Sequence, residues 1–550
     1  MTSSATLAGI CRLLSEHNVL ANTASGAATS TTPVTGAACD SRCVREGDVF
    51  FCKGAAFRPA FLTNALAAGA CAYVCEDERA AELAEVAPNV PAIVTSNMRL
   101  AMALVSAEAT CHPDQALPMV GITGTKGKST TAYMLRSIVD AAHGAGRCGI
   151  IGSIDTYDGT EALESTNTTP EAPDLWRHLA NARANELAAM VIEVSSQALK
   201  YDRTLGVNLD IAAFLNIGTD HISPVEHPSF EDYFASKLRI FSQCRRAVVN
   251  LGTTHLDRVL AAAHNSAADG STPELVCVSA QGPEPVECGS CDMVFPDIWA
   301  TDVVSTGASL SFVAHGTYGV TREDGLALTE ADGWELPVTI NFPGLFNVEN
   351  ALVALASAIM LGIDRASIAA GLASCRVPGR MELIGSASSS VLCVVDYAHN
   401  ALSYQKFFAS MAQEFAGRRI VALIGAPGGK AYERRRELPQ EAAKWASHIV
   451  ITEEDPAHDA NEEICAEMDA NVPAGAVLAG GETVTHEVVL NRQDAVARCL
   501  EVALGYGEPA LVCLLGKGDE TLVHRGDRFE PMVTDAAAFR AAAAARGLAL

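Results

Sequence analysis

Runs of apolar residues of strand length alternate along this chain with stretches of helical period, and their order predicts an α/β protein. Apolar runs at 48–52, 72–75 and 92–95 read as strands, and alanine-rich stretches at 60–68 and 79–84 read as helices. His112, Pro113 and Pro118 then punctuate the chain. Met119 and Val120 open another apolar strand, which runs into a glycine-rich segment at 121–131 and a helical pattern from Thr130 to about Val139. Strands at 189–194, 211–217 and 247–251 alternate with helices up to about Cys375, predicting a mostly parallel sheet covered on both faces. Arg376-Val-Pro-Gly379 breaks that alternation. Four strands follow at 391–395, 420–424, 449–452 and 511–515. Each leads directly into a polar or glycine-rich segment: Asp396-Tyr-Ala-His399, Gly425-Ala-Pro-Gly-Gly429, Glu453-Glu-Asp-Pro456 and Gly516-Lys-Gly-Asp-Glu520. In a doubly wound sheet such segments collect at the carboxyl edge, where ligands bind. The breaks divide the chain into three domains, 1–117, 118–376 and 377–550. The middle one is a P-loop-like mostly parallel sheet and the last is Rossmann-like.

A length of 550 residues agrees with three cores, and 49% apolar content lets each be buried. The formal charge of −26 argues against general affinity for nucleic acid or anionic membranes, so anionic ligands must be met by local basic groups. Residues 1–25 lack a basic leader region and Arg12 interrupts their apolar stretch, so no secretory signal is expected. The longest apolar run, 351–363, is too short to span a bilayer. A cytoplasmic monomer is the expectation. Seventeen cysteines, scattered mostly through apolar elements, read as buried reduced thiols. Cys288 and Cys291 form the one CxxC, with no second pair or nearby histidine to make a zinc site.

The segment Gly-Ile-Thr-Gly-Thr-Lys-Gly-Lys-Ser-Thr-Thr at 121–131 has the chemistry of a phosphate cradle. Its glycines let backbone N–H groups close on phosphate oxygens, the following helix offers its positive end, Lys128 adds a point charge and Ser129 can ligate Mg²⁺. The usual Walker spacing needs glycine at 122, where this chain has isoleucine. Glu193 ends an otherwise apolar strand, and Asn216, Thr219, Asp220 and His221 end the next. Taken singly these are most simply capping residues; together with Ser129, Glu193 and His221 make a plausible Mg²⁺ shell beside a nucleotide. An amphipathic helix over 230–241 carries Lys237. An ammonium cannot ligate a cation, so a metal role for Lys237 requires carbamylation to N6-carboxylysine.

GTKGKST, Thr168-Thr-Pro-Glu171, EVSSQAL, the stretch from Phe214 through FLNIGTDHISPVEHPSFEDYF to Lys237, FPGLFNVENA, VPGRME, VDYAHN and GKGDE occur in that order. In this the chain resembles the Mur ligases of peptidoglycan synthesis, and most closely the branch adding the third amino acid to UDP-N-acetylmuramoyl-L-alanyl-D-glutamate. The resemblance implies an ATP-dependent amide ligase acting through an acyl phosphate. Gly124, Thr125, Lys126, Gly127, Lys128, Ser129 and Thr130 would hold the ATP phosphates, with Mg²⁺ on Ser129, Glu193, His221 and carbamylated Lys237. Asn347 and Asn350 match residues near adenine, and Arg380 and Asp396 match ATP contacts of the last domain. Thr168, Thr169, Ser195 and Arg203 match the muramoyl-dipeptide site, while Ser41 and Arg42 match its uridine side. The chain departs from the family at Gln197, where histidine is commoner, and at 58–60, where a DG-type turn is usual.

Members using meso-diaminopimelate carry DNPR after the third C-terminal strand, the arginine gripping the second carboxylate. Here the segment reads Glu454-Asp455-Pro456-Ala457, and the acidic excess of Glu453, Glu454, Asp455 and Asp459 suits a cationic side-chain end. Arg435 and Glu520 match residues holding the α-carboxylate and α-amine of the incoming amino acid, with Gly516 beside them. L-Lysine is therefore the expected substrate. Ornithine, one methylene shorter, stays open, as does diaminopimelate held by Arg434 or Arg436. Folate polyglutamylation would leave TTPE and the DSR segment unexplained. A regulatory nucleotide-binding module would not need Glu193, His221 and Lys237.

Overall fold

The computed structural model describes residues 5–165, 167–219, 222–223, 226–264, 273–289, 292–318, 333–386 and 389–548. Three sheets organise them. The N-terminal sheet has the strand order Leu20–Ala24, Ala92–Thr95, Ala72–Glu76, Asp48–Phe51, Gly36–Ala38, parallel except for the first pair. The three expected strands form its middle. The two outer ones escaped the sequence reading because they are short and mostly not buried.

The central sheet has eleven strands. Met119–Thr123 lies between Ala189–Glu193 and Leu209–Phe214, both parallel to it, with Glu193 opposite Ile122 and Phe214 opposite Thr123. The cradle, Glu193 and the segment from Leu215 onward therefore leave one edge at adjacent positions. Expectation and structure differ away from this centre. The hairpin Asp155–Tyr157 and Ala162–Glu164 extends one side, and antiparallel Leu310–Gly316 and Trp334–Ile340 extend the other. These last two strands bury every second residue, so they lack the continuous apolar run of a fully buried strand. The cradle helix spans Lys128–His143, starting earlier and ending later than expected. It packs on Asn347–Met360 and Arg365–Ser374, closely enough that a Cβ on Gly371 would sit 2.4 Å from the Ile138 Cα.

The C-terminal sheet contains the four expected strands, now Val391–Asp396, Ala510–Leu515, Arg419–Ile424 and His448–Ile451 in spatial order, flanked by Glu382–Ile384 and Thr485–Val488. A hairpin, Leu522–Arg525 with Arg528–Pro531, follows the last central strand. The terminal alanine run lies mostly in the helix Asp535–Ala544. Among the described residues no helix is long and apolar enough to cross a membrane. The sixteen described cysteines are free thiols, mostly buried, while Cys291 of the CxxC lies outside the described residues.

Candidate active site

The cradle is braced by its own neighbours. Thr125 N–H donates to the Asn216 carbonyl at 2.9 Å. Lys126 N–H donates to Asn216 Oδ1 at 2.9 Å, and Asn216 Nδ2 donates back to the Lys126 carbonyl at 3.0 Å. Gly127 caps the helix with φ +90°, and a Cβ there would meet Asn350 Oδ1 at 2.3 Å. Strain and collision both demand glycine. Gly127→Ala is accordingly expected to raise the KM for ATP about tenfold or more, since left-handed strain alone is worth ~1–2 kcal/mol; an unchanged KM in steady-state kinetics would contradict this geometry.

Glu193 is fully buried. Its Oε2 accepts from the Ser129 hydroxyl at 3.0 Å and its Oε1 from Ser153 N–H at 2.8 Å. Burial raises its carboxyl above the ordinary range, while Lys128 pulls it down. A hydroxyl and a carboxylate this close beside a phosphate cradle are a hard-cation donor set, so the residues present fit Mg²⁺. His221 and Asp220 lie outside the described residues. Lys237 is buried, its Nζ donating to the Gly124 carbonyl at 2.9 Å, and Lys128 Nζ donates to the same carbonyl at 3.0 Å.

A cavity of about 890 Å³ connects this centre to the C-terminal sheet, with Ser129, Glu193, Asn350, Arg380, Asp396, Glu454, Asp455 and Glu520 in its wall. Asn350 Nδ2 donates to Asn347 Oδ1 at 2.9 Å, pairing the two expected asparagines below the cradle. The Arg380 guanidinium lies 4.2 Å from the Tyr397 ring centre. Asp396 accepts from the N–H groups of Met381 and Ala398 at 2.9 and 2.8 Å, and burial raises its carboxyl against the pull of Arg380. His399, from the polar segment after Val391–Asp396, also lines the wall, as do Phe346 and Lys406, which were not singled out from sequence. Nor was Glu414, which accepts from the N–H groups of Gly344 and Leu345 and so ties the loop before Asn347 to the C-terminal helix Ala401–Glu414.

At the amino-acid end the structure thins out the expected acidic cluster. Glu453 is paired with Arg525 at 2.7 Å, Asp455 with Lys517 at 3.0 Å, and Asp459 with Arg435. Glu520 is paired with Lys517 as well. Glu454 alone of the four has no ion pair among the described residues: it is buried, faces the cavity, and its Oε2 accepts no hydrogen bond. Burial pushes its carboxyl up to about 7. Gly516 packs against it, where a Cβ would come within 3.2 Å of Oε2. Arg435 binds Asp459 and Glu467 outside the cavity wall, whereas Arg434 is in it. Ala457 is also outside the wall; its N–H donates to the His524 carbonyl at 2.9 Å, and it has φ +50°.

Arg492 holds this end together. Buried, it donates to the Glu453 carbonyl at 2.9 Å and the Leu515 carbonyl at 2.8 Å, and pairs with Asp535 at 2.6 Å. It thus ties the loops bearing Glu454 and Gly516. Asp535→Ala leaves that guanidinium buried and uncompensated, and is expected to cost ~3–5 kcal/mol in denaturant unfolding; a loss under 1 kcal/mol would contradict this.

On the remaining side, Thr168 Oγ1 lies 2.9 Å from Ser153 Oγ, Thr169 Oγ1 donates to the Glu193 carbonyl at 2.7 Å, and Arg203 Nη1 donates to the Thr169 carbonyl at 3.0 Å. Ser195 caps a short helix and lies 3.4 Å from Thr169 Oγ1. Ser41 and Arg42 stand apart on the N-terminal sheet, Arg42 exposed and paired with Asp40.

Comparison with known proteins gives two family matches, the Mur ligase middle domain over residues 122–358 and the Mur ligase glutamate ligase domain over 379–518. A UDP-N-acetylmuramyl-tripeptide synthetase of Lactobacillus delbrueckii subsp. bulgaricus is 33% identical over 515 residues, 92% of each chain. A UDP-N-acetylmuramoyl-L-alanyl-D-glutamate–L-lysine ligase of Enterococcus faecalis is 33% identical over 465 residues, 83% of this chain and 84% of its own. Among solved structures, a UDP-N-acetylmuramoyl-L-alanyl-D-glutamate–2,6-diaminopimelate ligase shares the fold, with TM-score 0.58 at 23% identity over 94% of this chain and 96% of its own.

Proposed function

Because the chain belongs to the Mur ligase family, we propose that it adds L-lysine to the D-glutamate side-chain carboxylate of UDP-N-acetylmuramoyl-L-alanyl-D-glutamate. It is an ATP-dependent ligase of peptidoglycan synthesis that joins an amino acid to a UDP-muramoyl peptide. The finer assignment is carried by one observation: the cavity that begins at Ser129 and Glu193 ends at a buried carboxylate, Glu454, that no described cation pairs, while position 457 offers no guanidinium. An ammonium complements Glu454; a second carboxylate would not.

In this reading residues 1–117 take the UDP end, 118–376 the ATP and 377–550 the amino acid. The substrate carboxylate attacks the γ-phosphorus of ATP, giving an acyl phosphate and ADP. The lysine α-amine, after losing a proton, attacks the acyl carbon, and phosphate leaves with the bonding electron pair. Lys128 and Arg380 balance charge on the transferring group, the cradle N–H groups orient it, and Asn347 and Asn350 seat the adenine side. Ser129, Glu193 and His221, with Lys237 as a carbamate, would hold Mg²⁺, which would supply charge neutralisation for the transferring phosphate. Thr168, Thr169, Ser195 and Arg203 fix the dipeptide, and Ser41 and Arg42 the uridine. Glu520, with Asp455 and Gly516 alongside, sets the amino-acid end, and Arg435, held by Asp459 and Glu467 outside the cavity wall, braces it from behind. The enzyme acts as a cytoplasmic monomer.

Diaminopimelate is the second reading, favoured by Arg434 in the cavity wall. Phosphate release tests the common chemistry: it should require ATP, UDP-N-acetylmuramoyl-L-alanyl-D-glutamate and an amino acid together. Elongation of folate without use of any muramoyl substrate would overturn the assignment.

A further inference from the structure

Away from the cradle, three cations converge on one carboxylate between the N-terminal and central sheets. Glu171 Oε2 is 2.7 Å from Lys53 Nζ and 2.9 Å from Arg99 Nη1, and its Oε1 is 3.0 Å from Arg203 Nη2. Of the neighbouring carboxylates, Asp40 is paired with Arg42, and Asp174 lies 3.5 Å from Arg177, which Glu161 also binds. Three cations thus share the single carboxylate of Glu171 in a chain of formal charge −26, where cations are scarce.

Their placement says what they face. Gly36–Ala38, Asp48–Phe51, Ala72–Glu76 and Ala92–Thr95 run parallel. The Asp40-Ser-Arg42 segment, Lys53 and Arg99 each follow one of these strands, so all lie at the carboxyl edge of one sheet, where α/β sheets bind ligands. Arg203 and Glu171 come from the central sheet side, and Arg203 reaches the Thr169 carbonyl. The cluster thus lies between the uridine-side residues and the dipeptide-side residues. A substrate spanning those two ends carries a diphosphate between them, with two negative charges.

We propose that Lys53 and Arg99 bind the diphosphate of the nucleotide-linked substrate, Glu171 acting as the internal counter-ion that keeps the cations in place. This rests on the UDP-muramoyl reading above but not on lysine as the added amino acid. The two side chains converge on one carboxylate from two loops at the same sheet edge, one on either side of the strand Ala72–Glu76, as a group bearing two anionic oxygens requires.

Titration calorimetry of the full-length protein tests it with UDP-N-acetylmuramoyl-L-alanyl-D-glutamate and with UDP-N-acetylmuramic acid, which keeps the diphosphate and lacks the dipeptide. Lys53→Met and Arg99→Gln should each weaken both ligands by a similar factor, on the order of tenfold or more for a lost charge-assisted bond. Lys53→Arg should restore most of the affinity, and added salt should weaken the wild type more than the variants. Weakening confined to the dipeptide-bearing ligand would overturn the diphosphate assignment in favour of a carboxylate grip. Unchanged affinity for both would reduce the cluster to an interdomain clamp and overturn it too. A wild-type protein that binds neither ligand would instead bring down the functional reading on which the proposal stands.

Discussion

Lys128→Met should lower kcat for ATP-dependent phosphate release by about 10²–10³-fold, the usual cost of removing one preorganised charge from a transition state. The substitution keeps the aliphatic stem, so packing is nearly preserved and the loss reports charge. Lys128 Nζ donates to the Gly124 carbonyl at 3.0 Å, inside the loop it serves, so little reorganisation is needed to reach a phosphate oxygen. Its field also acts on Glu193, whose carboxyl it pulls down against burial. The variant should therefore bind Mg²⁺-ATP more weakly as well as turn it over more slowly. A kcat within threefold of wild type would mean that the cradle does not hold the transferring phosphate.

Glu454→Gln should separate stability from substrate binding. The Glu454 carboxyl has its ordinary value near 4.5 raised to about 7 by burial. The folded protein then holds a proton that the unfolded chain has lost, between about pH 4.5 and 7. Stability from this group is complete below that window and declines as pH rises through it, by ~3 kcal/mol over the shift. Glutamine carries no charge to bury, so the ligand-free variant should be more stable than wild type at pH 8, by up to a few kcal/mol, and nearly equal at pH 5. The KM for lysine at pH 8 should meanwhile rise about 10- to 100-fold, the worth of a charge-assisted bond. Chemical denaturation at the two pH values and steady-state kinetics read both effects. A variant less stable at pH 8, or with an unchanged lysine KM, would mean that Glu454 is not the ammonium's partner.

What sequence made legible follows from how local each signal is. The cradle could be read from its residues because glycine spacing, the preceding strand and the following helix are contiguous. Glu193 stood out as a carboxylate ending an apolar strand, and parallel pairing with Met119–Thr123 puts it 3.0 Å from Ser129. The acidic run after residue 452 was legible as composition only. Sequence could not show that Arg525, Lys517 and Arg435 absorb three of the four carboxylates, since two of those cations lie more than sixty positions downstream of their partners. Arg434 and Arg435 are neighbours, and which faces the cavity depends on the helix Arg434–Ala442 that they begin. Glu414 and Arg492 were missed for a related reason, and Asn216, legible as a polar residue ending a strand, hid its role: each acts by bracing backbone groups of a distant loop, and no motif marks such a role.

The assignment of lysine turns on Glu454 and on the missing guanidinium at 457. Competition between L-lysine, meso-diaminopimelate and L-ornithine, with ATP and UDP-N-acetylmuramoyl-L-alanyl-D-glutamate fixed, measures it as relative kcat/KM. L-Lysine should be used with the highest kcat/KM, ornithine less well because one lost methylene costs ~1–3 kcal/mol, and diaminopimelate barely at all. Efficient turnover of diaminopimelate with little or none of lysine would contradict the account.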